Sequence, residues 1–149
     1  MTDTVREKAL ASLYARLAAI ATVPGLTAAR NDTGPVTKLP RLIMFDGGHE
    51  RVDEYSAIDV FDLNVTISLH VAANTANDLA PKLDELYGAA VAAFVADLSN
   101  SGNSIDAWEQ GMSDPDTVRE QGAAPHLKAD LEVVVRIATR KNDPFTANP

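Results

Sequence analysis

One histidine stands among carboxylates, in a stretch that follows a strand-like apolar run. His49 lies within a few residues of four acidic side chains: Asp46, Glu50, Asp53 and Glu54. Hard cations such as Mg²⁺ and Ca²⁺ accept carboxylate ligands, so a metal site is one hypothesis for this stretch. The alternating acidic positions of a calcium loop are absent, and neither His70 nor His126 completes a ligand spacing such as H-x-x-x-H. We therefore expect a solvated loop, with no metal or other cofactor.

Two glycines before this histidine raise a second hypothesis, a phosphate-binding loop. The sequence has neither G-x-x-x-x-G-K-[ST] nor G-x-G-x-x-G, and acidic residues follow Gly48 where an anion site needs a helix N-terminus. The third hypothesis is a plain turn at Asp46-Gly47-Gly48, where positive φ costs glycine little. Residues 49–55 would then form a charged loop or hairpin limb that projects from the sheet.

No arrangement typical of nucleophilic catalysis is recognisable. A G-x-S-x-G elbow is absent, and Asp114 and Asp116 pair two carboxylates only within a proline-flanked loop. The 149 residues correspond to one domain, and they include no cysteine. A net charge of −8 repels nucleic acids and anionic membranes. No apolar run approaches the roughly 20 residues that span a bilayer, and the mixed-charge start is unlike a signal peptide. We expect synthesis in the cytoplasm and no membrane partner.

Two stretches have helical periodicity. Apolar residues recur at three- and four-residue steps in residues 3–21, where Thr4 and Glu7 are spaced as a capping box. The proline and glycine of residues 23–26 end that helix. Residues 74–100 predict a second helix that begins between Ala76 and Ala80, with Pro81 in its first turn.

Strict alternation of apolar and polar residues predicts two long strands, at residues 60–72 and 127–140. Shorter strands are expected at residues 27–31, 41–46 and 105–112, and a long polar connection at residues 113–126. The economical architecture is an α+β fold, a mostly antiparallel sheet with two amphipathic helices on one face. We expect one domain over residues 1–141 and a flexible tail over residues 142–149.

The order of these elements resembles a known family. A proline-led strand, an acidic turn and a long alternating strand follow one another in "LPRLIMFDGGHERVDEYSAIDVFDLNVTISLHVAA". A helix, another strand, the polar loop "DPDTVREQGAAPH" and the closing strand "LKADLEVVVRI" complete the order. This layout is similar to that of the tail terminator proteins of long, non-contractile-tailed bacteriophages, the lambda tail-terminator type, and of related gene transfer agent particles.

The resemblance implies a virion structural protein without enzymatic activity. Such proteins form a ring, typically a hexamer, at the head-proximal end of the tail. The ring caps the major tail-tube protein, ends tube polymerisation and presents a surface to the head–tail connector, while DNA passes through the lumen without specific binding. The first expected assembly loop comprises Asp46, Gly47, Gly48, His49, Glu50, Arg51, Asp53 and Glu54. The second comprises Asp114, Asp116, Arg119 and Glu120.

Two alternatives stay open. The first is a neck or head-completion ring protein, a stopper or adaptor, which would bind the connector and not the tube. The second is a small metal-dependent enzyme built around His49 and its neighbouring carboxylates.

Overall fold

The computed structural model describes residues 2–72, 76–118 and 126–148, and this part of the chain contains two helices and seven strands. Their order along the chain is α1 (Val5–Ala18), β1 (Thr27–Arg30), β2 (Arg41–Glu54), β3 (Ile58–Val71), α2 (Ala76–Val95), β4 (Asp106–Met112), β5 (Asp116–Val118), β6 (His126–Arg140) and β7 (Asp143–Ala147). No helix in the described residues is long and apolar enough to cross a membrane.

The strands form one sheet in the order β1-β2-β3-β6-β4, and the short strands β5 and β7 also pair with β6. Strand β1 is parallel to β2, and every other pairing is antiparallel. The longest ladder joins β3 to β6 without a register shift, from Ile58 opposite Arg140 to Val71 opposite Leu127. The predicted α+β class with a mostly antiparallel sheet is confirmed.

The hydrophobic core lies between the sheet and the two helices. The odd-numbered residues of β3 from Leu63 to Val71 are buried, and they share this core with the apolar stripes of α1 and α2. The even-numbered residues of β3 face the other way, onto a sheet surface that carries no helix. The alternation seen in the sequence therefore divides β3 between a helix-covered face and a helix-free face.

Helix α1 begins as predicted, with one difference in its capping. The Thr4 hydroxyl accepts a hydrogen bond from the Glu7 amide at 3.1 Å, which is one half of a capping box. The Glu7 carboxylate instead binds Arg30 of β1. A bidentate ion pair with arginine is stronger than a hydrogen bond to a neutral backbone amide. This ion pair connects the start of α1 to the sheet.

Helix α2 begins at Ala76, within the predicted range, but Pro81 lies in its second turn and not its first. The helix also ends earlier than predicted, at Val95. Asn100, Ser101 and Gly102 all have positive φ, so a helix cannot include the predicted end at Asn100. Arg16 of α1 reaches this end and donates to the Ala93 carbonyl at 2.9 Å.

Two other predictions need correction. The turn at Asp46-Gly47-Gly48 is wrong: β2 continues to Glu54, with register shifts after Asp46 and after Arg51, and neither glycine has positive φ. A β-bulge absorbs the extra residue, so pairing with β3 resumes at His49. The tail after residue 141 is not loose throughout, because Asp143–Ala147 pairs with β6 as β7. Likewise, β5 lies within the predicted polar connection.

Candidate functional site

The most exposed part of the sheet is the outer end of the β2–β3 hairpin, residues 47–60, which we term the hairpin arm. Strand β1 pairs with β2 only as far as Met44. Beyond that point, no described strand covers the outer edge of β2. Residues 48–57 are all exposed, among them the large apolar side chains of Val52 and Tyr55, at 40% and 55%. The arm thus combines an open strand edge with exposed apolar groups, a combination suited to protein contacts.

The bulge at the base of the arm depends on Gly47. A Cβ atom at this position would lie 2.4 Å from the Asn64 carbonyl oxygen, a distance that side-chain carbons do not reach. Arg6 of α1 fixes the same point, because its Nη2 donates to the Gly47 carbonyl at 2.6 Å. Glycine is therefore required here because the two strands approach too closely for a side chain, and not because the backbone adopts a positive φ.

The carboxylates of the predicted loop do not gather around His49. Arg30 donates hydrogen bonds to both carboxylate oxygens of Asp46, at 3.1 and 2.7 Å. Burial alone would raise the pKa of Asp46, but hydrogen bonds from Arg30 and Asn31 outweigh burial and hold that pKa below its usual range. The Asp46 carboxylate is therefore a structural partner of β1.

Two further acidic residues of the predicted loop, Asp53 and Glu54, have local partners. Asp53 accepts a hydrogen bond from the Tyr55 hydroxyl at 2.8 Å, and Glu54 forms an ion pair with Lys141. The Tyr55 hydroxyl and the Glu54 amide hold the pKa of Asp53 below its usual range. In residues 2–72, 76–118 and 126–148, no group of three or more His, Cys, Asp or Glu side chains could hold a metal ion. The metal hypothesis therefore gains no support from this arrangement.

His49 instead packs against an aromatic ring. Its imidazole meets Phe61 edge to face, with ring centroids 5.2 Å apart and an interplanar angle of 78°. Both rings line a pocket of about 450 Å³ beneath the arm, which we term the arm pocket. Its wall also includes Arg6 of α1, Arg51 of β2 and Asp59 of β3. Part of the first predicted site thus lies in a concave surface built from five elements, since β6 and β7 complete the wall.

The second predicted loop is only partly described. Asp114 and Asp116 are exposed, and Asp116 accepts a hydrogen bond from the Thr117 amide at 2.9 Å. Arg119 and Glu120 lie outside the described residues. Asp116 begins β5 and lies opposite Lys128 near the start of β6, whereas Ile58 of the hairpin arm lies opposite Arg140 at its end. The two predicted loops are therefore at opposite ends of β6.

Sequence reasoning missed the polar ladder on the helix-free face. Four even-numbered residues of β3 hydrogen-bond to side chains of β6: Asp62 with Arg136, Thr66 with Glu132, Ser68 with Asp130, and His70 with His126. Arg136 also lies 5.0 Å above the ring of Trp108, a cation–π contact. The alternating polar residues were visible in both strands, but only the register reveals which of them meet.

Comparison with known proteins gives little beyond this geometry. No protein-family model and no curated protein matches the chain. The chain is similar to one chain of a solved structure titled "Virion of native gene transfer agent (GTA) particle", at 14% identity and a TM-score of 0.35, over 91% of this chain and 92% of the other. A likeness this weak carries no argument about function.

Proposed function

We propose that this chain is a virion structural protein that forms a ring on the end of the tail tube. The ring stops tube polymerisation and presents the attachment surface for the head–tail connector, at the head-proximal end of the tail. The proposal starts from the order of elements, which resembles that of tail terminator proteins. The observation that carries it is the hairpin arm, a long exposed strand end with an uncovered edge.

The arm is built for contact and not for a reaction. Two of its acidic groups, Asp53 and Glu54, are engaged by Tyr55 and Lys141, and its exposed apolar side chains have no described neighbour that covers them. A surface that adds to a strand edge gains backbone hydrogen bonds from its partner, and exposed apolar groups beside that edge add buried area. We infer that the arm meets a neighbouring copy or the last tube ring.

The proposal also accounts for the acidic composition. A ring through which DNA passes must not bind DNA, and a net charge of −8 per copy disfavours contact with phosphates. Acidic side chains on the lumen wall of the ring are the expected arrangement.

The test uses purified protein and the tail-tube protein of the same particle. Negative-stain images should show rings of this protein on tube ends, and its addition to growing tubes should stop elongation. Tubes that elongate normally and carry no rings would overturn the proposal. Decoration of isolated connectors with bare tube ends would favour the stopper or adaptor alternative instead.

Two matched variants locate the contact. Val52→Lys replaces an exposed apolar side chain of the hairpin arm with a charged one. Val95→Lys makes the same change at the end of α2, where the valine is 52% exposed. Both variants should keep the wild-type circular dichroism spectrum, because neither valine is buried. We expect Val52→Lys to reduce tube-end decoration by about tenfold or more, since a charged group cannot be buried unpaired at an interface. Equal decoration by the two variants would exclude the arm as the contact.

A further inference from the structure

The arm pocket contains two polar atoms that the fold buries and leaves without a hydrogen-bond partner. One is Oδ1 of Asp59, whose side chain is 6% exposed, and the other is Nε of Arg6. The second oxygen of Asp59 accepts from the Asn142 amide at 3.3 Å, and Arg6 Nη2 donates to Gly47. The nearest cationic group to Oδ1 is Nη1 of Arg51, at 3.7 Å, too far for a hydrogen bond.

An acceptor and a donor of this kind are costly to leave unsatisfied. A buried polar group without a partner loses its interaction with water and gains nothing in return. Native proteins leave few such atoms, and each one calls for an explanation, such as strain, a water molecule, an ion or another bound group. Both residues line the same cavity of about 450 Å³, a volume within the range of ligand pockets.

The charges around the cavity exclude most simple ligands. A lysine-like cation would satisfy Asp59 but would approach the guanidinium groups of Arg6 and Arg51. A carboxylate would satisfy Arg6 but would approach the carboxylates of Asp59 and Asp143, and like charges repel. A neutral group that carries both an N–H donor and a carbonyl acceptor matches the acceptor of Asp59 and the donor of Arg6 without either repulsion.

The apolar part of the pocket wall indicates what the rest of the ligand is. Phe61, Ile137 and Pro144 supply apolar surface beside the polar atoms. Such surface suits a short chain of methylene groups that ends in the polar group. We propose that the arm pocket binds a carboxamide on a short aliphatic stem, the chemistry of a glutamine side chain on a partner protein. This inference does not depend on the tail-terminator proposal, since it concerns the isolated chain.

Three small probes of equal length decide the matter: butyramide, butyrate and butylammonium. Each is titrated at constant ionic strength into the ¹⁵N-labelled protein, and amide chemical shifts are followed by NMR. We expect butyramide to shift the amides of Phe61 and Asn142 saturably in the millimolar range, and the two ions to bind at least about tenfold more weakly. Tighter binding of butyrate or of butylammonium, or no saturable shift with any probe, would overturn the proposal.

A charge-removing variant supplies an independent check. Asp59→Asn lessens the repulsion of a carboxylate, so butyrate should bind this variant at least about tenfold more tightly than it binds the wild-type protein. Asp130→Asn removes the same charge on the helix-free face and should leave all three affinities unchanged. An Asp59→Asn protein that keeps the wild-type preference would also overturn the proposal. Should that variant fail to fold, the three titrations of the wild-type protein still decide.

Discussion

Two buried imidazoles share a hydrogen bond on the helix-free face: Nδ1 of His70 lies 2.7 Å from Nε2 of His126. Such a bond needs one ring nitrogen to donate and the other to accept, so the pair requires at least one neutral ring for that contact. Burial is the main cause that lowers the pKa of His70 from its ordinary 6.5 to about 4, and the nearby positive charges of His126 and Lys128 add to it. The negative charge of Asp130 opposes this shift.

We therefore predict that acidification weakens the fold before the carboxylates titrate. Between pH 6.5 and 4 the unfolded chain binds a proton at His70 that the folded chain does not, so stability is complete above pH 6.5 and falls as the pH is lowered. Urea unfolding at pH 7 and pH 4.5 should differ by about 2 kcal/mol, after allowance for partial solvent screening. The variant His70→Asn places an amide near the Nδ1 position and cannot titrate, so its pH dependence should be flatter. An unchanged slope would refute the assignment to His70.

Gly47 and Gly48 make a natural matched pair. We predict that Gly47→Ala lowers the free energy of unfolding by about 2–3 kcal/mol, because the new methyl group would overlap the Asn64 carbonyl oxygen and force the strands apart. Gly48→Ala meets no atom within 4 Å and should change stability by less than about 1 kcal/mol. Urea denaturation of both variants measures the difference, and equal stabilities would show that the bulge relaxes freely.

Arg30 joins α1 to the sheet through two carboxylates. Its side chain is 20% exposed, and it binds Glu7 and Asp46 with two hydrogen bonds each. We predict that Arg30→Met costs about 2–3 kcal/mol of unfolding free energy, because Asp46 is left partly buried without its cation. Adding Asp46→Asn to Arg30→Met should recover part of that loss. A double variant that is no more stable than the single one would argue against an unpaired Asp46 as the cause.

Arg16 closes the end of α2. It donates to the carbonyl of Ala93 and, at 2.8 Å, to Oδ1 of Asn100, a side chain that is fully buried. We predict that Arg16→Lys costs about 1–2 kcal/mol of unfolding free energy, since an ammonium group cannot reproduce the planar fork of donors. Arg140→Lys, at an exposed position, serves as the control and should have little effect on a thermal melt. Similar melting temperatures for both variants would contradict this role.

The sequence predicted those elements whose hydrophobic pattern is long and regular. Helix α1 and strands β3 and β6 were found close to their observed bounds, since their periodicity reflects a single buried face. The prediction ended strand β2 too early, at Asp46, because two glycines in a polar stretch of sequence are typical of a turn. The close approach of Asn64 that requires Gly47 exists only once β2 and β3 are paired.

The candidate site was less predictable for the same reason. His49 was singled out by its acidic neighbours in sequence, yet alternation along β2 sends adjacent side chains to opposite faces of the sheet. Its actual neighbours, Phe61 and Asp59, come from the paired strand, and Arg6 comes from a helix more than forty residues earlier. No spacing rule within a single strand could assemble that pocket.

The irregular pairing of β2 also bears on how the protein remains dispersed before it meets a partner. Long, flat and uncovered strand edges recruit one another, and the usual outcome is insoluble stacking. Two bulges and the charged side chains of Glu50, Arg51 and Glu54 make this edge uneven and disfavour its pairing with the same edge of a second copy, but not with a different surface of that copy. A partner strand whose register matches the two bulges would not meet that obstacle. The irregular ladder therefore favours pairing with such a partner over pairing with a regular strand.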